Sequence, residues 1–135
     1  RAAVCARQPS RLLAVEAAVR ANPQIDAHRV ESDLERISAN AHEFNEIRLL
    51  NSIRSGALVA KPGDLETMER LLGFNGTAVT ARLDIASADP ATVISAAQIE
   101  LGKWQRKAES PLSSPDVVMA ARVLVRTCEG ILAGV

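Results

Sequence analysis

Apolar positions recur along this chain with helical rather than strand spacing. The longest such stretch runs from Asp26 to Ser55. Val30, Leu34, Ile37, Ala41 and Phe44 follow a 4-3-4-3 rhythm that places them on one stripe of an α-helix. Ile47, Leu50 and Ile53 continue and widen it, and neither proline nor glycine interrupts the stretch before Gly56. At 1.5 Å per residue such a helix spans roughly 40–45 Å. A compact domain of this size has a radius of gyration of about 14 Å. The pattern therefore predicts a central rod with shorter helices packed along it.

The remaining segments read as those shorter helices. Arg1 to Ala21 predicts an amphipathic helix, in one piece or two around Gln8-Pro9-Ser10, stopped by Asn22-Pro23 and folded back as a hairpin on the long helix. After the apolar loop Ala57-Leu58-Val59-Ala60, Asp64 reads as the cap of a short helix from Leu65 to Leu72, closed by Gly73. A second short helix is expected from Thr77 through Leu83. Ser87-Ala88-Asp89-Pro90 opens a helix reaching about Glu109, with Val93, Ala97, Leu101, Trp104 and Ala108 on one side. Gly102 within it costs about 1 kcal/mol relative to alanine, which points to a close contact there. Ser114-Pro115-Asp116 opens the last helix, striped by Val117, Ala121, Leu124, Cys128 and Ile131. Two sustained stripes of this kind imply crossing angles of about 20°, the geometry of a bundle. The expected fold is all-α, one domain over 1–135, with five or six helices organised around the long central one.

Composition narrows the function classes. The chain has 135 residues, is rich in alanine, lacks tyrosine, and has only Phe44, Phe74 and Trp104 as aromatics. That suits close helix packing and not a β-sandwich. Sixteen basic and sixteen acidic residues cancel, which argues against a nucleic-acid partner. The densest basic group, Lys103, Arg106 and Lys107, reads as a solvated helix face. No apolar run approaches the ~20 residues of a membrane span, and no secretory signal is present. Cytoplasmic placement with reduced thiols is therefore expected. The chain opens on Arg1, as a processed chain or a piece of a longer one would. Cys5 and Cys128 form no disulfide framework, and a bridge between them requires the chain ends to meet; Cys128 reads as a small core residue.

Candidate chemistry is sparse. His42-Glu43-Phe44-Asn45-Glu46 resembles the zinc-protease helix with Glu46 in place of its second histidine, but no third ligand is evident. An exposed His–Glu pair one turn apart is the simpler reading. Phosphate-loop and serine-nucleophile motifs are absent, so no cofactor, metal or catalytic residue is assigned. Two places invite a binding role. Leu58 and Val59, with Lys61 beside them, form an apolar tip that either enters a membrane surface or docks a partner, or else folds back to close the core. Trp104 with Arg106 is either a partner anchor or, for the tryptophan, ordinary core.

Three segments carry a resemblance. Glu46-Ile47-Arg48-Leu49-Leu50 with Arg54-Ser55-Gly56-Ala57, Trp104 through Leu112, and Val125 through Gly130 together resemble the helical region that follows the nucleotide domain in actinobacterial dynamin-like GTPases of the isoniazid-inducible type. The excess of arginine over lysine and the abundant alanine fit a high-GC bacterium, as they fit many unrelated proteins. The resemblance implies a stalk or neck bundle that transmits nucleotide-driven motion and contributes membrane contact or self-association. The GTPase motifs are missing from this chain, so no nucleotide-binding residue carries over, and the 57–61 loop becomes the membrane-facing end. Read without the resemblance, the same residues describe a free-standing helical adaptor or regulatory domain that binds protein through a heptad stripe.

Overall fold

A computed structural model describes residues 27–135; the expected N-terminal hairpin helix and Cys5 lie outside the described residues. Those residues form five helices and no strand: α1 (Ala27–Arg54), α2 (Pro62–Leu71), α3 (Val79–Leu83), α4 (Pro90–Glu109) and α5 (Pro115–Ala133). The protein is an all-α bundle. It divides into two units, 1–41 and 42–135, with the boundary inside α1.

In the first unit, the described part of α1 runs from Ala27 to Ala41. Val30, Leu34 and Ile37 are half-buried there, and an Asp33–Arg36 ion pair bridges one turn.

The second unit is built on α4 and α5, which share the most extensive helix–helix contact. Only residues 110–114 separate them, so they run antiparallel as a helical hairpin. Both start as their sequences demand. Asp89 caps α4 by accepting the Thr92 backbone N–H at 3.4 Å, Ser114 caps α5 by accepting that of Val117 at 3.3 Å, and proline follows each cap. The apolar stripes meet in one core holding Val93, Ala97 and Trp104 from α4 and Ala121, Leu124, Cys128 and Ile131 from α5. The small side chains of Ala97, Ala120 and Ala121 leave room for close helix approach. Cys128 is a free thiol, fully buried, as its place on the stripe suggests.

The second half of α1 joins that core on a face that only partly follows the stripe: Ile53 belongs to it and Leu49 does not. Leu49 and Ile53 are its buried residues, whereas Phe44 is 51% and Ile47 56% exposed. Apolar residues occur nearly all round this segment, so spacing alone selects no single face.

Helix α2 begins earlier than expected. Pro62 supplies the first helical position, Lys61 is the cap residue without a side-chain bond, and Asp64 falls in the first turn. The helix ends at Gly73 in left-handed geometry (φ +86). The Gly73 N–H donates to Arg70 O and the Phe74 N–H to Glu69 O, both at 3.0 Å. Those two bonds are the pattern that selects glycine. Helix α3 starts at Val79 rather than Thr77, with Ala78 at its cap.

Candidate functional site

The residues singled out around 57–61 and around Trp104 converge at the end of the bundle where α4 turns into α5. After α1, Gly56 takes a positive φ of 78 and the Leu58 N–H donates to Ser52 O at 3.1 Å. This folds Leu58 back into the core, where it is 6% exposed, and leaves Val59 80% exposed. The tip is thus divided: Leu58 closes the core and is not a surface contact, while Val59 and Lys61 face outward. Leu112, in the α4–α5 turn, is 94% exposed. No signal in the sequence distinguished it from its neighbours.

Between these segments lies a cleft of about 500 Å³. Its cationic lining is Lys61, Lys103, Arg106 and Lys107, and Asp64 is its one carboxylate. Asp64 Oδ2 accepts Lys107 Nζ at 2.9 Å and Oδ1 lies 3.8 Å from Lys103 Nζ. The basic group read as a solvated helix face therefore turns two of its members toward α2. The first-turn position of Asp64, which α2 gains by starting at Pro62, puts the carboxylate within their reach.

Trp104 is not a partner anchor in this fold, because it is fully buried. Its Nε1–H donates to Glu100 Oε2 at 3.1 Å, and the Lys103 ammonium sits 4.9 Å from its ring centroid. Arg106, two residues on, is exposed and lines the cleft. Gly102 accounts for its place: a Cβ built there would meet Arg106 Nη1 at 3.3 Å. The close contact expected at this glycine is made by a guanidinium, not by another helix.

A second cluster joins α1 to α5. His42 and Glu46 share a face, with Nε2 and Oε2 3.6 Å apart, but their side chains are only 18% and 21% exposed. This corrects the reading of an exposed pair. Thr127, buried on α5, is the missing member. Its Oγ1 donates to Glu46 Oε2 at 2.7 Å and lies 3.2 Å from His42 Nε2. With its hydrogen on the carboxylate, that oxygen accepts from the imidazole N–H.

Arg82 extends the cluster, with Nη2 3.9 Å from Glu46 and Nε–H donating to Leu71 O at 2.9 Å. Arg70 Nε–H donates in return to Arg82 O at 3.1 Å, and its Nη2 lies 3.6 Å from Glu100 Oε1. Each arginine thus satisfies a carbonyl at the end of the other's helix. This network ties all five helices of the second unit, and every buried side-chain polar atom among the described residues has a partner.

Cluster and cleft differ in what they can do chemically. Among the described residues, no group of three or more His, Cys, Asp or Glu is gathered to hold a metal. The Cys128 thiol is pushed up to about 12, first by burial and then by the Glu100 charge. It is therefore protonated and poorly nucleophilic near neutral pH. The cluster is internally satisfied, while the cleft has cations to spare. A third feature is an apolar groove of about 410 Å³ between α1 and α5, floored by Leu49, Leu58 and Ala120 and rimmed by Met119. No helix among the described residues is long and apolar enough to cross a membrane.

Two curated proteins of Mycobacterium tuberculosis are similar to this chain. They are the isoniazid-induced protein IniC of strain CDC 1551/Oshkosh and that of strain ATCC 25618/H37Rv, each 29% identical over 122 residues. The match covers 90% of this chain and 25% of each relative, so the chain spans about a quarter of their length. No protein-family model matches the chain. No solved structure matches it either.

Proposed function

We propose that this chain is a helical stalk or assembly module of a dynamin-like membrane-remodelling GTPase, without nucleotide chemistry of its own. Similarity to IniC across nearly the whole chain, together with an all-α architecture, supports the module. The observation that carries the membrane part is the end of the bundle. Val59 and Leu112 project there as the most exposed large apolar side chains among the described residues, next to Lys61 and Arg106. Apolar tips with basic flanks are what a peripheral contact with an anionic bilayer needs.

Liposome co-sedimentation of the 135-residue chain tests this reading. The wild type should pellet with vesicles containing anionic lipid, and Val59→Asp with Leu112→Asp should leave it in the supernatant. Equal pelleting of both proteins would remove the membrane contact.

A second reading, a helical adaptor that self-associates, draws on Phe44 and Ile47, which α1 presents on its outer side. It expects a mass in light scattering that rises with concentration and returns to that of a monomer in Phe44→Ser, Ile47→Ser.

A further inference from the structure

We propose that the cleft bounded by the start of α2, the last turns of α4 and the α4–α5 turn is a binding site for a phosphate-bearing anion. It lies at the end of the bundle assigned above to the membrane, and it adds a ligand that the apolar tip alone does not require.

The argument begins with charge. Four cationic side chains line the cleft against a single carboxylate, and Asp64 is already engaged by Lys107 and Lys103. That engagement holds the two ammonium groups in place. It leaves Lys61 and Arg106, both exposed, without an ion pair to any carboxylate among the described residues. Cations gathered in this way repel one another unless an anion joins them, and a concave site concentrates their field.

Donor geometry points to phosphate. Arg106 brings a planar fork suited to two oxygens, held over Gly102 where no Cβ intervenes. Lys61, the cap residue before α2, adds a point charge to the same lining. Hydroxyls complete the lining. Ser110 Oγ accepts the Leu112 N–H at 3.2 Å and Ser114 Oγ accepts the Val117 N–H at 3.3 Å. A hydroxyl that accepts in this way keeps its own hydrogen for donation into the cleft. A group with several acceptor oxygens and close to two negative charges matches such a set better than a carboxylate does.

Titration calorimetry of the whole chain with inorganic pyrophosphate, run beside sedimentation with vesicles, tests the site. The vesicles are phosphatidylcholine mixed with either phosphatidic acid, a phosphomonoester, or phosphatidylglycerol, a diester. Arg106→Gln and Lys61→Gln should each weaken the interaction about tenfold, the loss expected for one charge-assisted hydrogen bond. Arg48→Gln, a surface change outside this cleft, should leave it unaltered. Preference for phosphatidic acid over phosphatidylglycerol, lost in the two variants, identifies a lipid headgroup as the source. Pyrophosphate binding without that preference identifies a soluble phosphate.

Val59→Asp with Leu112→Asp separates the two proposals. Pyrophosphate binding that survives this change while vesicle binding does not keeps the cleft and the apolar tip as distinct features. Pyrophosphate binding in a wild type that never pellets with vesicles keeps the cleft and rejects the membrane contact. Binding of neither probe, or binding that Arg106→Gln and Lys61→Gln leave unchanged, overturns the site.

Discussion

The α4–α5 hairpin and the second half of α1 are both helical and both contribute to one core, yet they used their apolar residues differently. In the hairpin, the stripes read from spacing are the buried faces: Val93, Ala97 and Trp104 meet Ala121, Leu124, Cys128 and Ile131. In α1, the spacing marks Phe44, Ile47 and Ile53, and the fold buries Ile53 together with the unmarked Leu49 while leaving Phe44 and Ile47 exposed. The difference lies in contrast. Helix α5 has one apolar side and a polar one carrying Arg122, Arg126 and Glu129, so only one rotation hides the apolar atoms. Around 44–53, α1 has apolar residues on several sides, and its rotation is settled by what the partners offer. Thr127 and Arg82 offer polar atoms to His42 and Glu46, and those bonds draw that face inward.

The sharpest test of this contrast pairs a core aromatic with an outer one. Trp104→Ala should cost about 3–5 kcal/mol in urea unfolding, while Phe44→Ala should stay within about 0.5 kcal/mol. Comparable losses would mean that α1 buries the face its spacing suggested. Next in size, Leu49→Ala should cost about 2–4 kcal/mol and Ile47→Ala little, measured in the same way.

Removal of the hydroxyl that orients α1 has a smaller effect. Thr127→Val keeps the shape but leaves Glu46 without its donor, at a cost of about 1–3 kcal/mol. Amide exchange should quicken in 42–53 more than in α4 if the bond holds that segment. Ser114→Ala, which removes the cap of α5, should cost about 1 kcal/mol and show as a lower melting temperature.

Cys128 gives a pH-dependent check on the hairpin itself. Burial raises its thiol from the ordinary 9.0 to about 12 in the fold, so the folded state holds the proton more tightly than the unfolded one. The stability this contributes is complete below pH 9 and is lost as pH rises toward 12. A Cys128→Ala variant should lack that component of the alkaline decline. In the native wild type, alkylation of this thiol at pH 8 should be far slower than in urea.

Local signals accounted for much of the architecture. Asp89-Pro90 and Ser114-Pro115 mark helix starts within a few residues of chain, and Gly73 marks an end because only its backbone takes the left-handed turn without strain. The candidate site was legible in pieces. Lys61 and Arg106 each stand out in the sequence, one for flanking an apolar tip and the other for neighbouring a tryptophan. The sequence places Asp64 at a cap, whereas Pro62 starts the helix sooner and frees that carboxylate to hold Lys103 and Lys107. Leu112 carries no mark in the sequence, since its exposure depends on which way a five-residue turn faces.

By itself, the sequence determined that this protein is helical, where its five described helices lie to within a few residues, and which sides of α4 and α5 are apolar. These are properties of spacing, caps and prolines, and they act over a turn or two of chain. Tertiary structure alone decided the rotation of α1, the burial of Leu58 beside an outward Val59, the inward turn of His42 and Glu46, and the meeting of Lys61 with Arg106. Each of those depends on groups far apart in the chain arriving together. Desolvation and charge are settled only once those neighbours are in place.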